Sequence, residues 1–344
     1  MLMDVEKLMM SRTGLPTVSV VVITYQHVDF IEKCIQGVLM QQTDFAVELL
    51  IGEDESSDGT RAICERYATE YPEKIKVFFR NRTEFDRRIG HSSARVNLIS
   101  TFLAAKGKYI AFCEGDDHWT DPLKLQRQVD ALEADPKASG CFTNAYNDKN
   151  GELQVFLGNY NRVPKGLIVD EGEFVSGLGI PSCTIVFRRE LITDYPQVVQ
   201  GFATGDTALF TLLLGKGHFI YQPTFTGIRV IHPGGVYSMQ GAVHQLRVQL
   251  QNLPEQDKLS AYRHHGVIQL RKEYALTKAW QEALENENWL LAQLAWKHLS
   301  KDRSIMHWSV RQTILAGLRV HFPVRYERIL GSLRRLRRAF TDAA

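Results

Sequence analysis

Thr17–Tyr25 reads "TVSVVVITY", a near-continuous run of β-branched residues. Such a run suits a strand buried on both faces, as in a sheet covered by helices on either side, and not an alternating strand with one wet face. The residues that follow, "DFIEKCIQGVLMQQ", space Phe30, Ile31, Cys34, Ile35, Val38 and Leu39 as one apolar helical stripe. A second strand, "VELLIGED" (Val47–Asp54), ends in acid, and "SSDGTRAICERYATEYPEK" opens with Ser and Asp before another amphipathic helix. "IKVFF" reads as a third strand. "SSARVNLISTFLAAKG" reads as a helix closed by Gly107, and "KYIAFCEGDD" as a fourth strand. "DPLKLQRQVDALEADP" then supplies a helix with Pro122 suited to its first turn. This alternation predicts a doubly wound α/β sheet with a mostly parallel core. Right-handed crossovers place all the strand C-termini along one edge, where ligands bind in such sheets.

Beyond this core, about 138–235 reads as an antiparallel extension of short strands, "SGCFTNAY", "CTIVFRR", "HFIYQ" and "FTGIRVIH", with the helix "DTALFTLLLGKG" among them. From about Val243 the chain reads as helical. Trp280, Trp289, Trp296 and Trp308 are packing anchors there.

The chain has 344 residues, a net charge of +2 and 44% hydrophobic residues, an ordinary globular composition that marks no polyanion binder and so no nucleic-acid partner. Five dispersed cysteines without a CxxC pair argue for reduced thiols, and against a disulfide framework or a zinc cluster. The N-terminus lacks the order of a signal peptide, and no apolar run approaches the ~20 residues that span a bilayer. A cytoplasmic setting follows.

The fourth strand ends in Glu114, Asp116 and Asp117, with Asp121 close behind. Like charges so close resist joint ionisation, so a positive partner is expected. The sheet topology brings Asp54 to the same crevice. No G-x-G-x-x-G follows the first strand, no Walker loop G-x-x-x-x-G-K-[ST] occurs, and no G-x-S-x-G elbow is present. A nucleotide site without backbone phosphate cradles can neutralise a diphosphate with Mg²⁺ or Mn²⁺ held by carboxylates. Gly115, between the acids, leaves room for ribose or phosphate.

"VSVVVITYQ", "IGEDESSDGT", "CEGDD", "GDTALFTLLLGKG" and "HPGGVYS", in this order over roughly 16–240, resemble the motifs of a family 2 glycosyltransferase with the GT-A fold. The resemblance implies a catalytic domain at 16–240, after a lead at 1–15 and before a helical region at 241–344. It implies inverting, metal-dependent transfer from a nucleotide-diphosphate sugar to a glycan or lipid-linked hydroxyl acceptor, in surface or cell-envelope polysaccharide synthesis. Thr24, Tyr25, Glu53, Asp54, Glu114 and Asp116 would then meet the donor. Asp116, Glu114 and His232 would meet the metal, and Asp206 would be the catalytic base. Glu53 and Glu114 stand where the family has Asp, and Arg229 stands three residues before His232, a departure from its Tyr-Arg-x-His pattern.

Plainer readings stand beside these. Asp54 or Asp58 would cap a turn, Asp206 would cap its helix, and Asp117 would brace the site or face the acceptor. Trp119 would pack or stack on a sugar. His91 reads as a loop residue, and Arg87 and Arg88 in the same loop as a solvated face or as diphosphate or acceptor contacts. A catalytically silent binding module keeps the fold without the chemistry, whereas a phosphotransferase would need a phosphate loop that "TYQHVDF" lacks. Finally, "SLRRLRRAF" places Leu333, Leu336 and Phe340 on one helical face flanked by Arg334, Arg335, Arg337 and Arg338. This suits either a helix packed on protein or an interfacial anchor on anionic lipid.

Overall fold

A computed structural model describes residues 15–82, 93–159, 161–235, 241–286 and 288–299. Arg87, Arg88, His91, Trp308 and the basic stretch 332–340 lie outside them. The described residues form two compact units, one holding 15–235 with Pro254–His264, the other 241–253 with 265–299.

The first unit is built on a ten-stranded sheet. Strands β1 (Val18–Thr24), β2 (Val47–Glu53), β3 (Ile75–Phe79) and β4 (Tyr109–Glu114) pair in the order β3-β2-β1-β4, all parallel. Val18, Val20, Val21 and Val22 are fully buried, the double-sided burial that the β-branched run requires. Helices α1 (Ile31–Leu39), α2 (Thr60–Glu70), α3 (Ser93–Ala104) and α4 (Lys124–Ala134) connect or follow these strands. Helix α1 buries Ile31, Cys34, Ile35 and Val38 against the sheet. Gly37 lets it ride close, since a Cβ there would lie 2.9 Å from the backbone N and O of Trp119. Helix α3 ends three residues before the expected Gly107, whose amide instead donates to Ser19 Oγ at 2.8 Å as the chain turns into β4.

The middle of the chain departs from the expected antiparallel extension. Strands β5 (His118–Trp119), β6 (Ala138–Lys149), β7 (Glu152–Val155), β8 (Ile168–Val169), β9 (Val186–Arg188) and β10 (His218–Val230) complete the sheet in the order β4-β9-β6-β10-β5, with β7 on β6 and β8 on β10. The long pair, β6 with β10, is parallel. The reversals fall on β9, β5, β7 and β8, all short. "HFIYQ" and "FTGIRVIH" are also one strand and not two. Pro223 sits at a register shift between Gln222 and Phe225, the bulge at which a strand tolerates the missing N–H. Two reversals around β9 restore direction, so β1, β2, β4, β6 and β10 all point their C-terminal ends to one edge.

All five cysteines are buried and unpaired in this unit. The second unit packs Leu246, Leu276, Trp280, Ala283, Leu291 and Ala295 from helices α6 (Ala242–Leu259), α7 (His265–Glu285) and α8 (Trp289–Leu299). The longer helix between β9 and β10, α5 (Gly205–Leu214), belongs to the first unit. Trp280 and Trp296 stand 5.7 Å apart by ring centroid, the anchoring role expected for them. Among the described residues no helix is long and apolar enough to cross a membrane.

Candidate active site

The ends of β1 and β2 are stitched together. The Thr24 carbonyl accepts from the Asp54 amide at 3.0 Å, and Gln26 Oε1 accepts from the Ser57 and Asp58 amides. Asp58 binds the Val28 amide through one oxygen, and the Thr60 amide and hydroxyl through the other. It clips the two loops, in line with the capping role read for it. Glu53 is fully buried, with Oε1 on the Ser56 amide and Oε2 on Arg61 at 2.6 Å, so its carboxylate is engaged in holding the turn. Asp54 is 1% exposed and pairs with Arg82 at 2.9 Å. The Arg82 guanidinium lies 3.9 Å from the ring centroid of the exposed Tyr25. Tyr25, Arg82 and Asp54 thus offer a flat face beside a buried carboxylate.

The acidic turn after β4 packs against the same loops. A Cβ on Gly115 would lie 2.7 Å from both Thr24 Cβ and Oγ1, so only glycine permits this approach. Thr24 Oγ1 in turn meets His27 Nδ1 at 3.2 Å. Asp116 Oδ2 is bonded to His232 Nε2 at 3.0 Å and lies 4.0 Å from His27 Nε2. One ligand atom each of His27, Asp116 and His232 falls within 4.8 Å of the others. Phe30 holds the His232 ring at 4.6 Å by centroid. Burial pushes the His27 imidazole below its ordinary value, against the pull of Asp116 and with the help of His232. Burial opposes ionisation of Asp116, but the His232 hydrogen bond and the nearby His27 hold its carboxyl below the usual range. A neutral imidazole beside an ionised carboxylate is the protonation pattern that a metal needs.

Glu114 stands outside that trio. Its Oε1 accepts from Ser182 Oγ at 2.7 Å, while its Oε2 is buried without a partner. Burial, then the charges of Asp116 and Asp206, push its pKa up to about 7. Asp117 Oδ1 accepts from the Val230 amide at 2.9 Å and so braces β10, one of the two roles left open for it. Trp119 is 2% exposed, and its indole donates to the Cys183 carbonyl at 2.6 Å. It packs beneath the turn and offers no stacking face. Asp206 is the second residue of α5, just inside the N-cap Thr204, which makes no side-chain cap bond. Asp206 Oδ1 accepts from the Thr207 amide at 2.6 Å and so satisfies a first-turn N–H, part of the capping role read for it. Its charge reaches Glu114 and Tyr195, which places it on the acidic side of the crevice.

His27 is the site residue that motif reading missed. Its signal was positional, a histidine just past the end of a central strand at the ligand edge. Arg82 was missed as well, because its partner Asp54 lies 28 positions away.

A mixed sheet whose parallel strands gather acids and imidazoles at their C-terminal edge, without a glycine-rich phosphate loop, has the GT-A architecture. The family model of glycosyl transferase family 2 matches residues 19–195, and the chain belongs to that family. An uncharacterized protein of Mycobacterium tuberculosis is 39% identical over 124 residues, 36% of this chain and 34% of that protein. The chain therefore aligns with about a third of that relative's length. The putative teichuronic acid biosynthesis glycosyltransferase TuaG of Bacillus subtilis is 33% identical over 206 residues, 60% of this chain and 75% of that protein. Two solved structures share the fold. TarS of S. aureus with UDP-GlcNAc has a TM-score of 0.50 at 15% identity, covering 84% of this chain and 74% of that one. The Pyrobaculum calidifontis mannosyltransferase PcManGT with GDP-Man and Mn²⁺ has a TM-score of 0.50 at 17% identity, covering 90% of this chain and 82% of that one.

Proposed function

We propose that the chain transfers a sugar, with inversion, from a nucleoside-diphosphate sugar to a hydroxyl of a cell-envelope glycan or lipid-linked acceptor. The observation that carries this reading is the His27–Asp116–His232 trio at a strand edge without a phosphate loop, with Asp206 standing apart from it. UDP-GlcNAc and GDP-Man in the two solved structures, and the envelope role in the name of TuaG, support the donor and acceptor classes.

His27, Asp116 and His232 would hold the cation, and two imidazoles with one carboxylate suit Mn²⁺ better than Mg²⁺. A bound cation would neutralise the donor diphosphate. Asp54 accepts an N–H of the base once Arg82 yields, and Tyr25 supplies the ring face. Glu114 Oε2, buried and unpartnered, meets a hydroxyl of the donor. Asp206 takes the proton of the acceptor hydroxyl as its oxygen bonds to the anomeric carbon, while the bond to the diphosphate breaks and the diphosphate leaves with the electron pair. The lead 1–15, the catalytic domain 16–240 and the helical region 241–344 remain our division of the chain. The basic stretch 332–340 would rest on the inner face of the cytoplasmic membrane.

Calorimetry of nucleoside diphosphates with and without Mn²⁺ tests the donor site, and a panel of nucleotide sugars tests turnover. Metal-independent binding of full strength, or hydrolysis of no sugar nucleotide, overturns the reading.

A further inference from the structure

Asn147 presents an anomaly. It is 1% exposed, and neither its Oδ1 nor its Nδ2 has a hydrogen-bond partner. A buried amide with both ends unmatched is costly, and native proteins keep few of them. Its position gives the reason. Asn147 lies near the C-terminal end of β6, and its ladder partner on β10 is Arg229. Paired residues of neighbouring strands show their side chains on the same face. Arg229 is half-buried, and among the described residues no hydrogen bond or ion pair engages its guanidinium. Its charge is felt at Asp117 and Cys183, which sets it beside the acidic turn. Two residues earlier on that face, Gly227 is covered by Thr184 and Cys183. Arg229 and Asn147 come next on that face.

The two side chains are complementary in what they lack. A guanidinium out of bulk water wants a planar anion that it can bind with two N–H groups. An amide with a free oxygen and a free NH₂ wants a group that both donates and accepts, and a hydroxyl does both. The pair sits on β6 and β10, at the same edge as the donor residues but on strands that carry none of the proposed base contacts. We infer that Arg229 and Asn147 form an acceptor subsite for a glycan unit that carries an acidic group, carboxylate or phosphate, next to a free hydroxyl. The inference rests on the glycosyl-transfer reading above and names the acceptor class that this reading leaves open.

The test uses the full chain and three probes, methyl β-D-glucuronide, glucose 6-phosphate and methyl β-D-glucoside, with binding read by ligand-observed NMR. At least one acidic probe binds, the neutral glucoside binds at least about 10-fold more weakly, and the acidic probe that wins tells carboxylate from phosphate. Arg229→Gln weakens that probe by about 10- to 100-fold, and Asn147→Ala by about 3- to 10-fold, as expected for charged and neutral hydrogen bonds. Because no protein group bonds the Asn147 amide, Asn147→Ala leaves the urea midpoint unchanged or raised. Four outcomes overturn the inference: equal binding of the neutral probe, no binding of either acidic probe, unchanged probe affinity in both variants, or a loss of nucleoside diphosphate affinity in its place. Hydrolysis of sugar nucleotides by the unmodified chain is read separately, so failure of the acceptor subsite is distinguishable from failure of the transfer reading.

Discussion

Asp206 Oδ1 accepts from the Thr207 amide in the first turn of α5, and Asn keeps an oxygen for that bond but cannot act as a base, so the two roles open to Asp206 separate on mutation. Because Asn is also a good cap, Asp206→Asn should change the unfolding free energy, read by urea denaturation, by no more than about 0.5 kcal/mol. Turnover should fall by roughly 10²–10⁴-fold, the contribution of a general base. Near-normal transfer by the folded variant would move the base elsewhere, with Asp117 the next candidate. At His27, substitution by Ala should weaken Mn²⁺-dependent nucleoside diphosphate binding at least ~10-fold, as loss of a ligand or its orienting neighbour does. Unchanged calorimetric affinity would remove His27 from the metal set. Lys124 makes a pH prediction. It is fully buried, with Nζ 4.0 Å from the Trp119 ring centroid and on Gln128 Oε1 at 2.8 Å, and burial pushes its pKa down to about 8. An unfolded lysine keeps its proton to about 10.4. Between these values the unfolded chain binds more protons, so stability from this group rises with pH, and the full penalty applies below 8. Lys124→Met should therefore gain up to about 2–3 kcal/mol at pH 7 relative to the parent chain, a margin that narrows towards pH 10. A margin that widens with pH would refute the account. At this scale Asp54 and Asp116 were legible as acids at strand ends. Glu53 was not, because an acid before the last acid of a strand points to the other face, where Arg61 waits.

Gly37 joins helix and sheet at the scale of the element. Alanine there would gain about 0.5–1 kcal/mol in helix propensity. Its Cβ would meet the Trp119 backbone at 2.9 Å, and overpacking typically costs about 1–3 kcal/mol. Because the obstacle is backbone, Gly37→Ala should lower stability by about 1–2 kcal/mol by urea denaturation, the reverse of the propensity rule. A stabilised variant would show that α1 shifts freely. The first four strands were legible because each is a β-branched or apolar run of strand length. β10 read as two strands because Pro223 breaks the run, and only the pairing with β6 shows that a bulge carries the strand past it. The direction of β6 relative to β10 was illegible for another reason. The reversals that set it fall on β9, a strand of three residues with no periodicity to detect.

The whole molecule carries one prediction from its tail. Each basic residue near an anionic surface contributes about 1 kcal/mol. The four arginines of 332–340 should therefore bring the full chain down with anionic vesicles, and a chain ending at residue 299 should stay in solution. Equal sedimentation of both forms would end that idea. The five cysteines have a consequence of a different kind. All are buried, all lie in the sheet-bearing unit, and none is paired. Burial also pushes the Cys64 and Cys141 thiols up to about 12, so they stay unreactive while the sheet is closed. A thiol-specific reagent therefore sees nothing in the native protein and five groups once that unit opens. The chain comes with its own tamper seal. Labelling rates under native conditions would time the opening of the sheet-bearing unit alone, with no dye or tag added and no signal from the helical unit beside it in sequence.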